Sequence, residues 1–202
     1  MDTVSFFLIG HGRLHSAEVA GGTPYADRVF AGLSDDQMRA RPGQGLNSLV
    51  WLLWHMARTE DVAVNLVVAG RPQLLDEAWL RRLNGPWRTI GTGMTDDEVS
   101  EFTAHADIAA VRAYRSAVGL RTREVVTALR PEAWDEILGI AETTAANAAG
   151  AFARGWVDGV GYRAWQGHSR AAQLASSAIA HNAMHLGEAI TIRSQAGFAL
   201  GI

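Results

Sequence analysis

Cysteine is absent from the 202 residues. That excludes disulfides, thiolate metal ligands and a cysteine nucleophile, and leaves any thiol chemistry to a thiol carried by a substrate. No apolar run approaches the roughly 20 residues needed to span a bilayer. The amino terminus has one brief apolar run, Phe6 to Ile9, cut short by Gly10 and His11. It lacks both the basic start and the length of a secretory signal, so a soluble, cytoplasmic protein with no membrane partner is expected. A strong charge excess is missing too: the net charge is -3, and the 18 Lys plus Arg are scattered, which gives no electrostatic footprint for nucleic acid. Runs that alternate apolar and polar residues, the mark of a half-buried strand, are also lacking.

What is present is helical. With 48% apolar residues the chain can build a substantial core, and it reads as one all-α domain, 1–202, a four-helix bundle with embellishments at 1–22 and 139–168. Residues 4–20 form a first helical piece that ends at Gly21-Gly22, after which Thr23 caps and Pro24 opens the next. Ser34-Asp35-Asp36-Gln37 and Thr95-Asp96-Asp97-Glu98 have capping-box spacing. Asn47 is expected to cap a helix from Ser48 to about Ala69 that is apolar nearly all round and therefore central. A long connection with a short helix near Asp76 to Leu83 follows. Asp107 then caps a helix to about Leu129, and a further helix is expected from Trp134 to about Ala149. A Gly-rich passage runs from Gly150 to Gly167. The last long helix covers 169–196 and closes at Gly197.

The chemistry is carried by histidines on two of these helices. His181 and His185 are four residues apart, which stacks both rings on one face about a turn from each other. They lie on the stripe Leu174, Ala178, His181, His185, Glu188, Ile192. His55 lies on a similar stripe with Trp51, Thr59, Val62 and Leu66. Each stripe should face the bundle core, and burying imidazoles without partners costs roughly 1–3 kcal/mol each. Convergence on one divalent cation satisfies them and leaves coordination positions open, the arrangement of catalytic rather than structural sites. A histidine within an ordinary core is the bland alternative at each position. Glu188, one turn beyond His185, is a candidate fourth ligand, partner of a ligand, or general base, with a simple salt bridge as the alternative.

The other histidines carry weaker expectations. His11 and His15 have the same spacing as the later pair, but Gly10, Gly12 and Arg13 give a poor helical context near a terminus where frayed surface structure is usual. They are a rival ligand pair or the lining of a pocket mouth. His105 and His168 are expected at the solvated surface. In Arg58-Thr59-Glu60-Asp61, Glu60 reads as solvated and Asp61 is left open. Trp51 and Trp54, which flank His55, read as core packing, with pocket walls as the alternative.

Two segments, Asn47-Ser48-Leu49-Val50-Trp51-Leu52-Leu53-Trp54-His55 with Arg58 and Glu60-Asp61 following, and His181-Asn182-Ala183-Met184-His185-Leu186-Gly187-Glu188-Ala189, resemble the DinB-like (damage-inducible) superfamily. The resemblance runs over roughly 24–197. It implies an up-down-down-up bundle with a long crossover between the second and third helices, often a homodimer, holding a divalent metal such as zinc or nickel on His55, His181 and His185. Relatives of that family include transferases using mycothiol, bacillithiol or glutathione and a mycothiol-dependent maleylpyruvate isomerase. The leading expectation is therefore a metal-dependent enzyme that passes a low-molecular-weight thiol to a small electrophilic substrate. A metal-dependent hydrolase with Glu188 as proton shuttle, and a non-enzymatic metal- or ligand-binding dimer of stress response, are the alternatives.

Overall fold

Side chains at helix starts decide where most of the elements begin. In the structure, a computed structural model that describes residues 1–43, 45–153, 163 and 165–199, Asp2 caps α1 (Thr3–Leu14) by accepting from the Ser5 amide at 2.8 Å. Short helices α2 (Ala17–Ala20), α3 (Tyr25–Phe30) and α4 (Asp35–Arg39) follow. Pro24, with extended backbone, is itself the cap of α3, one residue later than its helix-opening preference suggested. The capping boxes at Ser34 and Thr95 both form, starting α4 and α7 (Asp96–His105). Ser48, not Asn47, caps α5 (Leu49–Asp61) through the Trp51 amide. Asp76 and Asp107 cap α6 (Glu77–Arg82) and α8 (Ile108–Ala128).

Residues 131–148 differ from the expected single helix. Pro131–Asp135 is a 3-10 turn, and α9 begins only at Ile140. The Gly139 amide donates to Glu142 Oε2 at 2.9 Å and opens that helix in place of a side-chain cap. Most of the Gly-rich passage lies outside the described residues. The final helical rod is α10 (Arg170–Leu174), a π-helical stretch Ala175–Ala180, and α11 (His181–Gln195), with αR backbone across each junction. Gly197, at φ 73°, follows its end.

The molecule is all-helical: among the described residues β-pairing amounts to one isolated bridge, Ile137 to Ser169. Every residue of α5 is buried, which makes it the central helix. It packs on α8, α11 and α7 and continues as a π-helical stretch, Val62–Val68. Wider turns of this kind are commonly placed beside functional residues. Here one follows α5 and the other immediately precedes His181.

Burial reaches the polar end of α5 as well. Arg58 and Asp61 are fully buried. Arg58 Nη1 donates to Asp61 Oδ2 and to the Tyr114 hydroxyl, each at 3.1 Å, and Nη2 donates to the Arg88 carbonyl at 2.7 Å. The Tyr114 hydroxyl in turn donates to Asp61, whose oxygens also accept from the Leu74 and Leu75 amides at 2.8 and 3.1 Å. Burial pushes the Tyr114 hydroxyl well above its usual pKa, so it stays a donor. This network locks the connection after α5 against α5 and α8. No helix among the described residues is long and apolar enough to cross a membrane.

Candidate metal centre

His55 projects from α5, and His181 and His185 from α11, and their rings converge. His181 Nε2 lies 3.1 Å from His55 Nε2 and 3.1 Å from His185 Nε2. The ring centroids are 4.5–4.8 Å apart in edge-on pairs with planes 62–82° from parallel. His55 is buried, and His181 and His185 keep a sliver of exposed surface.

The partners of the opposite ring atoms assign the tautomers. His55 Nδ1 faces the Ile90 carbonyl, which can only accept, so Nδ1 carries the proton and Nε2 presents a lone pair. His185 Nδ1 donates to Glu188 Oε2 at 2.8 Å, and its Nε2 is likewise a lone pair. His181 Nδ1 has no partner. Whichever tautomer His181 takes, three Nε2 atoms at van der Waals distance share at most one hydrogen. Protonation does not relieve this: burial, then the neighbouring His185, lowers His55 to about 4, and burial with both neighbouring rings lowers His181 to about 2.

A divalent cation at the shared point relieves it. Ligands around a tetrahedral ion at zinc–nitrogen distances stand about 3.3 Å from each other, close to the spacing seen here. The residues therefore fit a transition ion, and both protonated Nδ1 atoms have the second hydrogen bond that orients a metal-binding imidazole.

Around the three rings the chain is arranged to hold them. Trp51 stacks on His55 with centroids 4.6 Å apart and planes 18° from parallel, and Trp54 is fully buried against Phe102, so both tryptophans serve as core. Gly91, at φ 91°, brings the loop against them; a Cβ there would stand 2.6 Å from Trp54. That close approach is what lets the Ile90 carbonyl reach His55. Glu188 sits beside the site rather than in it. Its Oε1 accepts from Asn47 Nδ2 at 2.9 Å while Oε2 holds His185, and the bond to His185 lowers the pKa of its carboxyl.

The structure brings together the three histidines that the sequence singled out and places Glu188 as a partner of His185, one of the roles expected of it, whereas the supports at Ile90 and Asn47 were not foreseen. Ile90 offers only a backbone atom, which leaves no side-chain signal. Asn47 was legible as a polar residue before a helix and is used across the bundle instead. His105 is exposed, as expected, and His168 is half-buried, donating to Gln173 at 3.2 Å. Two expectations fail. Glu60 is fully buried rather than solvated, and His11 and His15 are fully buried rather than frayed at the surface. The reason is the same: α1 lies over the bundle and closes a pocket around Glu60.

The fold and site together define an all-helical protein with a trihistidine centre at its core. The sequence model of the DinB superfamily matches residues 24–189, and the chain belongs to that superfamily. A crystal structure described as the conserved protein of locus from Enterococcus faecalis is similar over 96% of this chain and 97% of its own, at 19% identity and a TM-score of 0.69. That likeness concerns the fold. No curated protein matches the chain.

Proposed function

We propose that the protein is a metal-dependent enzyme that transfers a low-molecular-weight thiol to a small electrophilic substrate at His55, His181 and His185. The observation that carries this reading is the convergence of three Nε2 atoms that share at most one hydrogen among them. A divalent transition ion held there, zinc or nickel by the all-nitrogen donor set, supplies Lewis acidity that lowers the pKa of a thiol or water. Three neutral imidazoles leave the ion's charge uncancelled, which favours that chemistry.

The chain's own groups do the rest. The Ile90 carbonyl and Glu188 hold the Nδ1 protons and so fix which nitrogen points inward. Trp51 walls one face of His55 and keeps water from it. Glu188 is partly exposed, with a third of its side-chain surface open, so beyond positioning His185 it can take a proton from a substrate at Oε2 and pass it to solvent. The absence of cysteine means no internal thiol competes for the site.

Hydrolysis, with the same Glu188 as proton acceptor, is the second reading, and the exposed carboxylate edge favours it. Protein purified without a histidine tag should carry about one equivalent of ion at this site, lost in His55→Ala. Turnover of a thiol with a model electrophile such as a chlorodinitrobenzene supports the transferase. Turnover of activated esters alone supports the hydrolase. A full ion complement with no turnover on either panel overturns both and leaves a binding protein.

A further inference from the structure

A second cluster forms around Glu60 of α5, its two histidines coming from residues before the matched 24–189. His11 and His15, both on or at the end of α1, close over Glu60 of α5, and all three are fully buried. His11 Nε2 lies 2.9 Å from Glu60 Oε1, and His15 Nε2 lies 3.6 Å from Glu60 Oε2. The same carboxylate accepts from the Thr122 hydroxyl at 2.6 Å and from Asn182 Nδ2 at 2.9 Å.

Two features mark this as more than a satisfied buried acid. The His15 ring has no hydrogen-bond partner on either nitrogen, and His11 Nδ1 has none either. Leaving a buried polar atom unpaired is unfavourable, and proteins seldom do it without cause. The ring is also given its place deliberately: a Cβ on Gly119 of α8 would stand 2.5–2.8 Å from three atoms of His15, so the helix leaves out a side chain where the imidazole enters. The Glu60 carboxylate is buried among two neutral donors, Thr122 and Asn182, and the two imidazoles. Arg115 reaches it only through Asn182, to whose Oδ1 it donates at 2.9 Å. A buried carboxylate needs a cation or a full set of donors.

We propose that His11 Nε2, His15 Nε2 and Glu60 form a second metal site that takes a divalent first-row transition ion and clasps α1 to the bundle. Two nitrogens and one carboxylate suit zinc, iron or manganese. One ligand atom from each of the three lies within 4.8 Å of the others, with His11 Nε2 2.9 Å from one oxygen of Glu60 and His15 Nε2 3.6 Å from the other, close enough to converge on a single ion. Complete burial makes the ion structural. It also touches the first site indirectly, because Asn182, which holds Glu60, is the residue next to His181.

Counting ions in the full-length, untagged chain tests this. The protein is stripped with a chelator, reloaded with Zn2+, desalted and assayed by mass spectrometry of the metal. Two equivalents are expected in the wild type, and one each in His181→Ala and in His15→Ala, with folding checked by far-ultraviolet circular dichroism. A single equivalent in the wild type that vanishes in His181→Ala overturns the second site and leaves the first standing. A single equivalent that survives His181→Ala and vanishes in His15→Ala keeps the second site and removes the first. If His15→Ala does not fold, His181→Ala decides: one equivalent retained in that variant supports the clasp, and none overturns it.

Discussion

His185 and Glu188 stand one turn apart on α11, and the ring's Nδ1 donates to the carboxylate at 2.8 Å. The bond spends the proton that would otherwise make Nε2 a donor, so a residue outside the ligand set decides how His185 enters it. Loss of such a partner typically weakens metal binding 10–100-fold. Glu188→Ala should do so, measured by competition with a chelator of known affinity. Glu188→Gln keeps an acceptor for His185 and should hold the ion better than Glu188→Ala. If Glu188 also takes substrate protons, Glu188→Gln retains ion yet loses turnover, a split that a purely orienting role does not produce. Equal ion affinity in all three forms would remove Glu188 from the site.

The Ile90 carbonyl depends on a glycine beside it. In Gly91→Ala a Cβ meets Trp54 at 2.6 Å in a backbone region that L side chains rarely adopt. The two penalties sum to about 2–6 kcal/mol, and the loop relieves them by moving away from α5. Lower thermal stability and weaker metal binding should appear together although all three ligands remain. A destabilised variant with unchanged affinity would show that His55 is oriented without Ile90.

Acid should act on the metal-free protein in a defined window. Burial lowers His15 and His55 from 6.5 to about 4. Between those values the unfolded chain takes up protons that the folded chain refuses, so stability falls as pH drops from about 6.5 toward 4. Each such histidine adds a slope of up to about 1.4 kcal/mol per pH unit. Glu60 acts in the same direction at lower pH: its depressed pKa gives stability that is present above 4.5 and lost as pH falls through the folded value. Differential scanning calorimetry from pH 7.5 to 4.5 should show a steadily falling melting temperature. A flat profile above pH 5 would mean that these rings are not buried neutral.

How much of this was legible before folding can be read from particular residues. His181 and His185 declared themselves because helical periodicity is local, and a four-residue spacing needs no tertiary knowledge. His55 declared itself by standing among Trp51, Trp54 and Leu52, where a polar ring is out of place. Glu60 did not, since four polar residues in succession look like a helix leaving the core, whereas α1 closes over Glu60, and α8 with the connection after α5 covers Arg58 and Asp61. Gly10 and Gly12 weakened the helical reading of α1, yet they are contact points: a Cβ on Gly12 would meet Ala20 at 2.8 Å, and one on Gly10 would meet Ile179 at 3.4 Å. Glycine that breaks a helix and glycine that lets two elements approach look alike in sequence. The 3-10 turn at Pro131–Asp135 was hidden for a similar reason, because Trp134 and Ala-rich sequence suit a helix until the chain is drawn into contact with Ser169.

Two helical glycines separate packing from propensity. Replacing glycine by alanine inside a helix ordinarily stabilises by about 0.5–1 kcal/mol. Gly187 on α11 is exposed, and a Cβ there meets nothing within 4 Å, so Gly187→Ala should raise the melting temperature by a few degrees. Gly119 on α8 faces His15, where the added carbon would sit 2.5 Å from the ring. Gly119→Ala should therefore destabilise by about 1–3 kcal/mol despite its better helix propensity. It should also loosen α1, seen as faster amide exchange over residues 3–14 than elsewhere, since the displaced ring is what pins that helix over Glu60. Opposite signs at the two positions are the expected result. A stabilising Gly119→Ala would show that His15 does not occupy the space that α8 leaves for it, and with it would go the buried pairing of α1 with Glu60.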